Sequence, residues 1–126
     1  MKGKKADKER RDGVHRETFR DGKVSAIGRY ANGEKTGRWK FYFRNGRVRA
    51  VGSLSDGQLD GLWKWNRENG KPLQAGRFKD GKQAGPWKRY HENGTLYDIG
   101  KYVAGRKSGL WKYYDKDGKL SRTKVY

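Results

Sequence analysis

Residues 85–108 read GPWKRYHENGTLYDIGKYVAGRKS, and the 24-residue spacing of this unit recurs along the chain. Eighteen of the nineteen glycines fall on four series with that spacing, which begin at Gly13, Gly22, Gly28 and Gly33. Only Gly3 lies outside them. A fixed period of this length is typical of a tandem repeat protein. We therefore divide the chain into a repeat array over residues 13–126, with repeats starting near residues 13, 37, 61, 85 and 109, and a basic mobile arm over residues 1–12.

Each repeat contains two turn dipeptides, and these decide the fold class. One series includes Asn45-Gly46 and Asn93-Gly94, and the other includes Asn32-Gly33. Asn-Gly and Asp-Gly are strong hairpin signals, because a type I′ turn needs positive φ at both central residues. Two turns per repeat give two antiparallel strands per repeat. The prediction is an all-β antiparallel meander of tandem hairpins, about nine or ten strands long, with no helix required.

The alternation of side chains along each strand predicts two different faces. A two-residue loop at Asn45-Gly46 places three pairs opposite each other: Phe43 with Val48, Phe41 with Ala50, and Trp39 with Gly52. A Trp opposite a glycine can lie over the neighbouring strand without a clash. The expected aromatic core contains Trp39, Trp63, Trp87, Trp111, Phe41, Phe43, Trp65, Tyr113, Leu54, Phe78, Leu96 and Tyr102. The opposite face is expected to carry Lys40, Lys64, Lys88 and Lys112, with Tyr42, Tyr90, Tyr97 and Tyr114 beside them.

The composition alone is close to that of a disordered chain. Apolar residues make up 32% of the sequence, the mean hydropathy is −1.29 and the formal net charge is +18. Little apolar surface is then available to offset chain entropy. Aromatic residues reach 13%, however, and they recur on the repeat spacing. Regularly spaced aromatic rings can supply the core, since each buries a large area.

Charge and cysteine content restrict the kind of protein. The chain has no cysteine, which excludes disulfides and thiolate metal sites. Residues 1–16 lack the apolar stretch of a signal peptide, and no apolar run is long enough to span a membrane. We expect a cytoplasmic protein. A surface this positive attracts polyanions such as acidic proteins, nucleic acid or anionic lipid.

The two ends of the array differ from its middle. His15-Arg16 stands where the other repeats have Trp-Lys, and Lys124 stands where the spacing expects glycine. Lys119 and Arg122 add charge to the same terminal strand. Charged side chains on an edge strand prevent edge-to-edge pairing, so the sequence predicts caps at both ends.

The motif Gly28-x-Tyr30-x-x-Gly33-x-x-x-Gly37-x-Trp39 resembles the MORN repeat. The half-repeat Trp-Lys-x-Tyr-x-x-Asn-Gly resembles a bacterial variant of that family that is often labelled an antitoxin component. The resemblance covers roughly residues 13–126. It implies an elongated, twisted sheet of hairpins and a role as a protein-docking or lipid-associated module.

No catalytic or metal-binding arrangement is evident in the sequence. The two histidines, His15 and His91, occupy different positions of repeats that lie three units apart, too far for a shared site. The acidic residues are mainly in turns, where Asp favours hydrogen bonds to its own backbone. We predict that the protein is not an enzyme and needs neither a cofactor nor a metal. A small-molecule substrate is not expected.

Three binding functions remain open. The favoured one is docking of an acidic protein partner, of which an antitoxin role would be a special case. The second is nucleic-acid binding, in which basic residues contact phosphates and aromatic rings stack on bases. The third is peripheral attachment to anionic lipid. The candidate partner-binding residues are Lys40, Lys64, Lys88, Lys112, Arg49, Arg77, Lys101, Tyr90 and Tyr97, with the arm Lys2–Arg11 added for nucleic acid.

Substitutions in the lysine row and in the aromatic core are expected to have different effects. The substitutions Lys64→Glu and Lys88→Glu together should weaken binding with little loss of fold. The substitution Trp63→Ala should instead destabilise the fold, as expected for a large buried aromatic residue. The structural aromatic ladder is predicted to consist of Trp39, Trp63, Trp87, Trp111, Phe41, Trp65, Phe78 and Tyr102.

Overall fold

The computed structural model describes residues 12–126, which form one antiparallel sheet. Each strand is hydrogen-bonded to the next strand of the sequence. The strands are β1 (Gly13–Thr18), β2 (Val24–Ala31), β3 (Glu34–Tyr42), β4 (Val48–Ser55), β5 (Gln58–Asn66), β6 (Pro72–Lys79), β7 (Lys82–Tyr90), β8 (Leu96–Val103), β9 (Arg106–Tyr114) and β10 (Leu120–Val125). Within residues 12–126 there is no helix, so the predicted all-β meander is confirmed. The predicted basic arm, apart from Asp12, lies outside the described residues.

Two kinds of turn alternate along the sheet, and the prediction of a type I′ turn at Asn45-Gly46 is wrong. Both residues have positive φ in the other series instead: Asn32-Gly33, Asp56-Gly57, Asp80-Gly81 and Ala104-Gly105. At Asn45-Gly46 only the glycine does. The N–H of Gly46 donates to the carbonyl of Phe43 (3.0 Å), and the N–H of Phe43 donates to the carbonyl of Arg47 (2.8 Å). This is a three-residue loop closed by a glycine bulge. The Oδ1 atom of Asn45 accepts from the N–H of Arg47 at 2.9 Å, which stabilises the longer loop.

The longer loop changes the strand register next to the turn. Val48 pairs with Tyr42 and not with Phe43. Beyond a bulge at this point, Phe41 pairs with Ala50 and Trp39 with Gly52, as predicted. The corresponding Trp–Gly pairs of the next two repeats are also confirmed. The bulge absorbs the extra residue, so most of each strand keeps its predicted faces.

Each Trp of the series Trp39, Trp63, Trp87 and Trp111 covers a glycine, but on the preceding strand. A Cβ atom built on Gly52 would lie 2.2 Å from Cδ2 of Trp63, although the register partner of Trp63 is Gly76. The same relation holds for Gly28 under Trp39, Gly76 under Trp87 and Gly100 under Trp111. The Nε1 atom of each indole donates to a backbone carbonyl ten residues earlier, as Trp63 does to Ser53 at 2.8 Å. The predicted Trp–Gly register pairs are therefore correct. The sequence analysis did not predict that each indole lies over the glycine of the preceding strand.

The core lies on one face of the sheet, which we call the aromatic face. The four Trp residues of the repeat series are at most 2% exposed. The rings of Trp39, Phe41, Trp63, Trp65 and Trp87 stack in sequence, with centroids 5.7–6.1 Å apart. Tyr30, Phe78 and Tyr102 contact the indoles edge-on. Such contacts stabilise the fold beyond the burial of area alone, and they join residues that the sequence analysis assigned to the core.

Strand β10 differs from the equivalent strands of the earlier repeats at the glycine position. Lys124 pairs with Trp111, in the place where earlier repeats have the glycine that lies under an indole. All residues of β10 are exposed. Lys124 and Arg122, with Lys119 just before them, put charge on this edge strand, which disfavours edge-to-edge pairing.

Candidate functional site

The face opposite the aromatic face carries a row of lysines, and we call it the lysine face. Lys40, Lys64, Lys88 and Lys112 each follow a buried Trp and are exposed. Trp and Lys neighbours thus point to opposite sides of the strand, as predicted. Lys64 pairs with Val51 on one side and with Ala75 on the other. The complete row across the sheet reads Arg16, Ile27, Lys40, Val51, Lys64, Ala75, Lys88, Ile99, Lys112 and Thr123. Cationic and aliphatic side chains therefore alternate from strand to strand.

A second basic row runs beside the first on the same face. Arg77 and Lys101, both predicted binding residues, are exposed and lie two residues further along β6 and β8 than Ala75 and Ile99. Arg29 occupies the equivalent place on β2. The sequence analysis did not select Arg29, although it shares one repeat position with Arg77 and Lys101. Arg29 could have been predicted as a binding residue from this shared repeat position.

Tyrosines form the other border of the lysine row. Tyr42 lines a groove of about 480 Å³ together with Val14, Ile27, Arg29, Arg38 and Lys40. Tyr90 and Tyr114 occupy the same repeat position as Tyr42, at the ends of β7 and β9. Asn66 takes this position on β5. The lysine face therefore combines positive charge, aliphatic side chains and phenol rings.

The charge of the lysine row is not neutralised within residues 12–126. The ion pairs of this part of the chain join Lys35 to Glu17, Arg44 to Asp21, and Arg89 to Asp98. None of them involves a lysine of the row. Asp60 pairs with Ser53 on the same face, beside the second basic row. The lysine face thus presents a positive potential.

Two predicted binding residues, Arg49 and Tyr97, do not lie where the sequence analysis placed them. Both occupy the extra position of a bulge, which turns them toward the aromatic face. The ring of Tyr97 contacts Tyr113, with centroids 6.0 Å apart. Leu96, expected in the core, pairs with Tyr90 instead. The placement of Tyr97 on the lysine face and that of Leu96 in the core are therefore wrong.

Arg49 lines an apolar groove of the aromatic face. This groove of about 490 Å³ also involves Phe41, Phe43, Leu59, Trp63, Trp65 and Leu73. Phe41 and Trp65 are half-buried here, whereas Trp63 is 2% exposed. The fully buried rings serve the core, so the predicted structural role of the Trp ladder agrees with the geometry.

A buried ion pair interrupts the aromatic stack in the fourth repeat, and the sequence analysis missed it. Arg89 holds the place of Phe41 and Trp65, and it pairs in register with Asp98. The Nε and Nη2 atoms of Arg89 donate to the carboxylate of Asp98, with the shortest distance at 2.6 Å. Asp98 is fully buried. The hydrogen bond to Asp98 raises the pKa of Arg89. The available signal was a simultaneous change at two positions that the second and third repeats fill with uncharged residues, Phe41 with Ala50 and Trp65 with Gln74.

A cluster of cations and phenols closes the C-terminal end of the aromatic face. The Nζ atom of Lys107 lies 4.7 Å from the Trp111 ring and 5.2 Å from the Tyr126 ring. The guanidinium of Arg122 lies 3.9 Å from the Tyr113 ring, close enough for a cation–π interaction. The hydroxyls of Tyr113 and Tyr126 are 2.7 Å apart. Burial raises the pKa of Tyr113, while the hydrogen bond from Tyr113 lowers the pKa of Tyr126.

Residues 12–126 contain neither a metal site nor a membrane-spanning helix. No group of three or more His, Cys, Asp or Glu side chains in this range is placed to hold a metal ion. His91 instead hydrogen-bonds to the backbone carbonyl of Tyr114, with its Nε2 atom at 2.7 Å. The described part of the chain has no helix long and apolar enough to cross a membrane.

Comparison with known proteins agrees with this architecture. No curated protein matches the chain. The family model of the MORN repeat variant matches residues 59–80, 83–104 and 107–126, which together make up half of the chain. That description says nothing of an antitoxin, so the antitoxin label has no support beyond the resemblance. The matched segments are the same strand pairs that carry the Trp-Lys motif. The chain belongs to the MORN repeat variant family, whose arrays are repeat-type binding modules.

Proposed function

We propose that this protein is a non-enzymatic docking module whose lysine face binds an acidic segment of a partner protein. The observation that carries the proposal is the alternation of unpaired lysines with aliphatic side chains across the sheet. Carboxylates of a peptide would be attracted to the lysines, and apolar side chains of the same peptide would cover Val51, Ala75 and Ile99. Mixed polar and apolar surfaces of this kind are typical of protein interfaces.

The same surface is less suited to nucleic acid. Single-stranded nucleic acid is bound through rings on which bases stack. The four Trp rings of the repeat series lie on the opposite face and are at most 2% exposed. The aliphatic residues between the lysines offer nothing to phosphates or bases. Positive charge alone supports binding at low salt, and that binding weakens steeply as salt rises.

The test compares three fluorescently labelled probes by anisotropy: an unstructured peptide rich in Glu and Leu, and single- and double-stranded oligonucleotides of equal charge. The variant carrying Lys64→Glu and Lys88→Glu removes the centre of the lysine row. The control carries Lys23→Glu and Lys116→Glu, in loops away from it, and changes the net charge of +18 by the same amount. Anionic vesicles provide a fourth probe.

We expect peptide binding to persist at near-physiological salt. It should weaken roughly tenfold in the lysine-row variant, since two attractions become repulsions, and much less in the control. Oligonucleotide or vesicle binding that survives this salt and depends on the row, without peptide binding, would contradict the proposal. Equal losses in the two variants would also contradict it, because they would indicate attraction by net charge alone.

A further inference from the structure

The lysine row has a repeat distance that selects among partner conformations. Successive lysines are two strands apart, and adjacent strands are about 4.8 Å apart, so the backbone positions of the lysines recur every 9.6 Å or so. A polyproline II segment has three residues per turn and a rise of about 3.1 Å, so its same-side residues recur every ~9.3 Å. An α-helix returns to one side after seven residues, or about 10.5 Å. In an extended strand, same-side residues recur at about 6.6 or 13.2 Å. The polyproline II period fits best.

The border of the lysine row fits the same conformation. Tyr90 pairs with Leu96, and Tyr114 pairs with Leu120, so phenol rings and leucines flank Lys88 and Lys112. The ring contacts among residues 12–126 that build the aromatic face do not include Tyr90 or Tyr114. Grooves lined with aromatic rings are the usual receptors of polyproline II segments, whose conformation is preformed. The fourth and fifth repeats, which contain β7 and β9, are the neighbouring pair in which lysine and tyrosine both recur.

We infer that the lysine face binds a proline-rich acidic segment in the polyproline II conformation, with a carboxylate at every third residue. Carboxylates at neighbouring turns contact Lys88 and Lys112, and the prolines between them pack on Tyr90 and Tyr114. The inference rests on the proposed docking function and specifies its ligand. Adjacent strands of a sheet rotate by about 20–25° relative to each other, so a straight segment spans two or three lysines and not the full row.

The test uses three labelled synthetic peptides with the intact chain at near-physiological salt. The first consists of five Glu-Pro-Pro units. The second has the same composition, with the glutamates shifted so that no two are three residues apart. The third is an Ala-rich helix with Glu at every seventh position. We expect the first peptide to bind about tenfold more tightly than the other two, because it alone places successive carboxylates on successive lysines.

Side-chain variants locate the site. The substitutions Tyr90→Ala and Tyr114→Ala together should weaken binding of the Glu-Pro-Pro peptide several-fold. Tyr97→Ala is the matched control, because this ring lies on the aromatic face, and it should leave binding unchanged. Circular dichroism of each variant reports whether the sheet is retained. If a tyrosine variant fails to fold, the comparison of the three peptides on the unaltered chain still tests the polyproline II inference.

The outcomes separate this inference from the docking function. Equal affinity for the first two peptides, or tighter binding of the helical peptide, overturns the polyproline II inference. If all acidic peptides bind alike and Lys64→Glu with Lys88→Glu still weakens them, the docking function stands without it. If no acidic peptide depends on the lysine row, both proposals fall.

Discussion

The ion pair between Arg89 and Asp98 allows a stability prediction that is asymmetric between its two partners. Asp98 is fully buried, whereas the Arg89 side chain is 46% exposed. The substitution Arg89→Ala leaves a buried carboxylate without its partner, which costs about 3–5 kcal/mol of unfolding free energy. The substitution Asp98→Ala leaves a guanidinium that water can reach. We expect that loss to be about 1–2 kcal/mol, the value of the hydrogen bonds removed.

The repeat itself supplies the matched double variant. Phe41 and Ala50 form the equivalent pair in the second repeat, and they pack in the aromatic core. Arg89→Phe combined with Asp98→Ala copies this pair into the fourth repeat. Buried ion pairs can often be replaced by apolar residues of similar volume at little cost. We therefore expect the double variant to lie within about 1 kcal/mol of the unaltered chain.

Urea unfolding followed by Trp fluorescence measures all of these variants. Gln74→Ala, at the register position of Asp98 in the preceding repeat, is the control for loss of a polar side chain without a charge partner. Equal losses for Arg89→Ala and Asp98→Ala would refute the argument from burial. A double variant as unstable as Arg89→Ala would show that an apolar pair cannot replace the ion pair here.

Three further predictions concern backbone and titration. Gly76→Ala should destabilise the fold by about 1–3 kcal/mol, because its Cβ would lie 2.0 Å from Cδ2 of Trp87, and urea unfolding measures this. Ala104→Asn should stabilise it by about 0.5–1 kcal/mol, since the residue has a φ of 49°, which asparagine tolerates better, and the thermal midpoint should rise. Burial raises the pKa of Tyr30, and its hydrogen bond to Glu17 adds to this. Its contribution to stability is therefore complete below the unfolded value of 10.0 and is lost as pH rises through the folded value. Tyr30→Phe should make the decline in stability between about pH 9 and pH 11 shallower.

Each of these predictions has its own control. Gly94→Asn, at a φ of 93° with the nearest side-chain atom 3.7 Å away, should lose stability through backbone strain without a clash, so it separates strain from the clash in Gly76→Ala. Asp80→Asn, in another type I′ turn, should be nearly neutral, since both residues tolerate its positive φ. An unchanged midpoint in Ala104→Asn would show that the turn is not strained. An identical alkaline decline with and without the Tyr30 hydroxyl would mean that other groups account for it.

The strand faces could be predicted because two local rules operate together. Side chains alternate along a strand, and glycine-containing turns recur at a fixed period. Trp39 and Lys40 were placed on opposite faces on this basis, and the structure agrees. The placements of Tyr97 and Leu96 failed because the extra residue of a bulge cannot be located from alternation alone.

Only part of the candidate site could be predicted from the sequence. Lys64 and Lys88 follow from their neighbours in the chain, since each lysine follows a buried Trp. The aliphatic residues between them come from other strands, so their positions depend on register. Arg89 and Asp98 are nine residues apart, and their pairing depends on the bulge beside Tyr90.

The sequence by itself determined the meander, its period and the composition of its two faces, because turns and strand alternation depend on residues close together in the chain. Tertiary structure alone decided which glycine each indole covers. Trp63 pairs with Gly76 in register but lies over Gly52 on the other neighbouring strand. Both glycines offer the space for the ring. The bulge beside Gly52 leaves the carbonyl of Ser53 available to the indole N–H, and only the assembled sheet brings the two together.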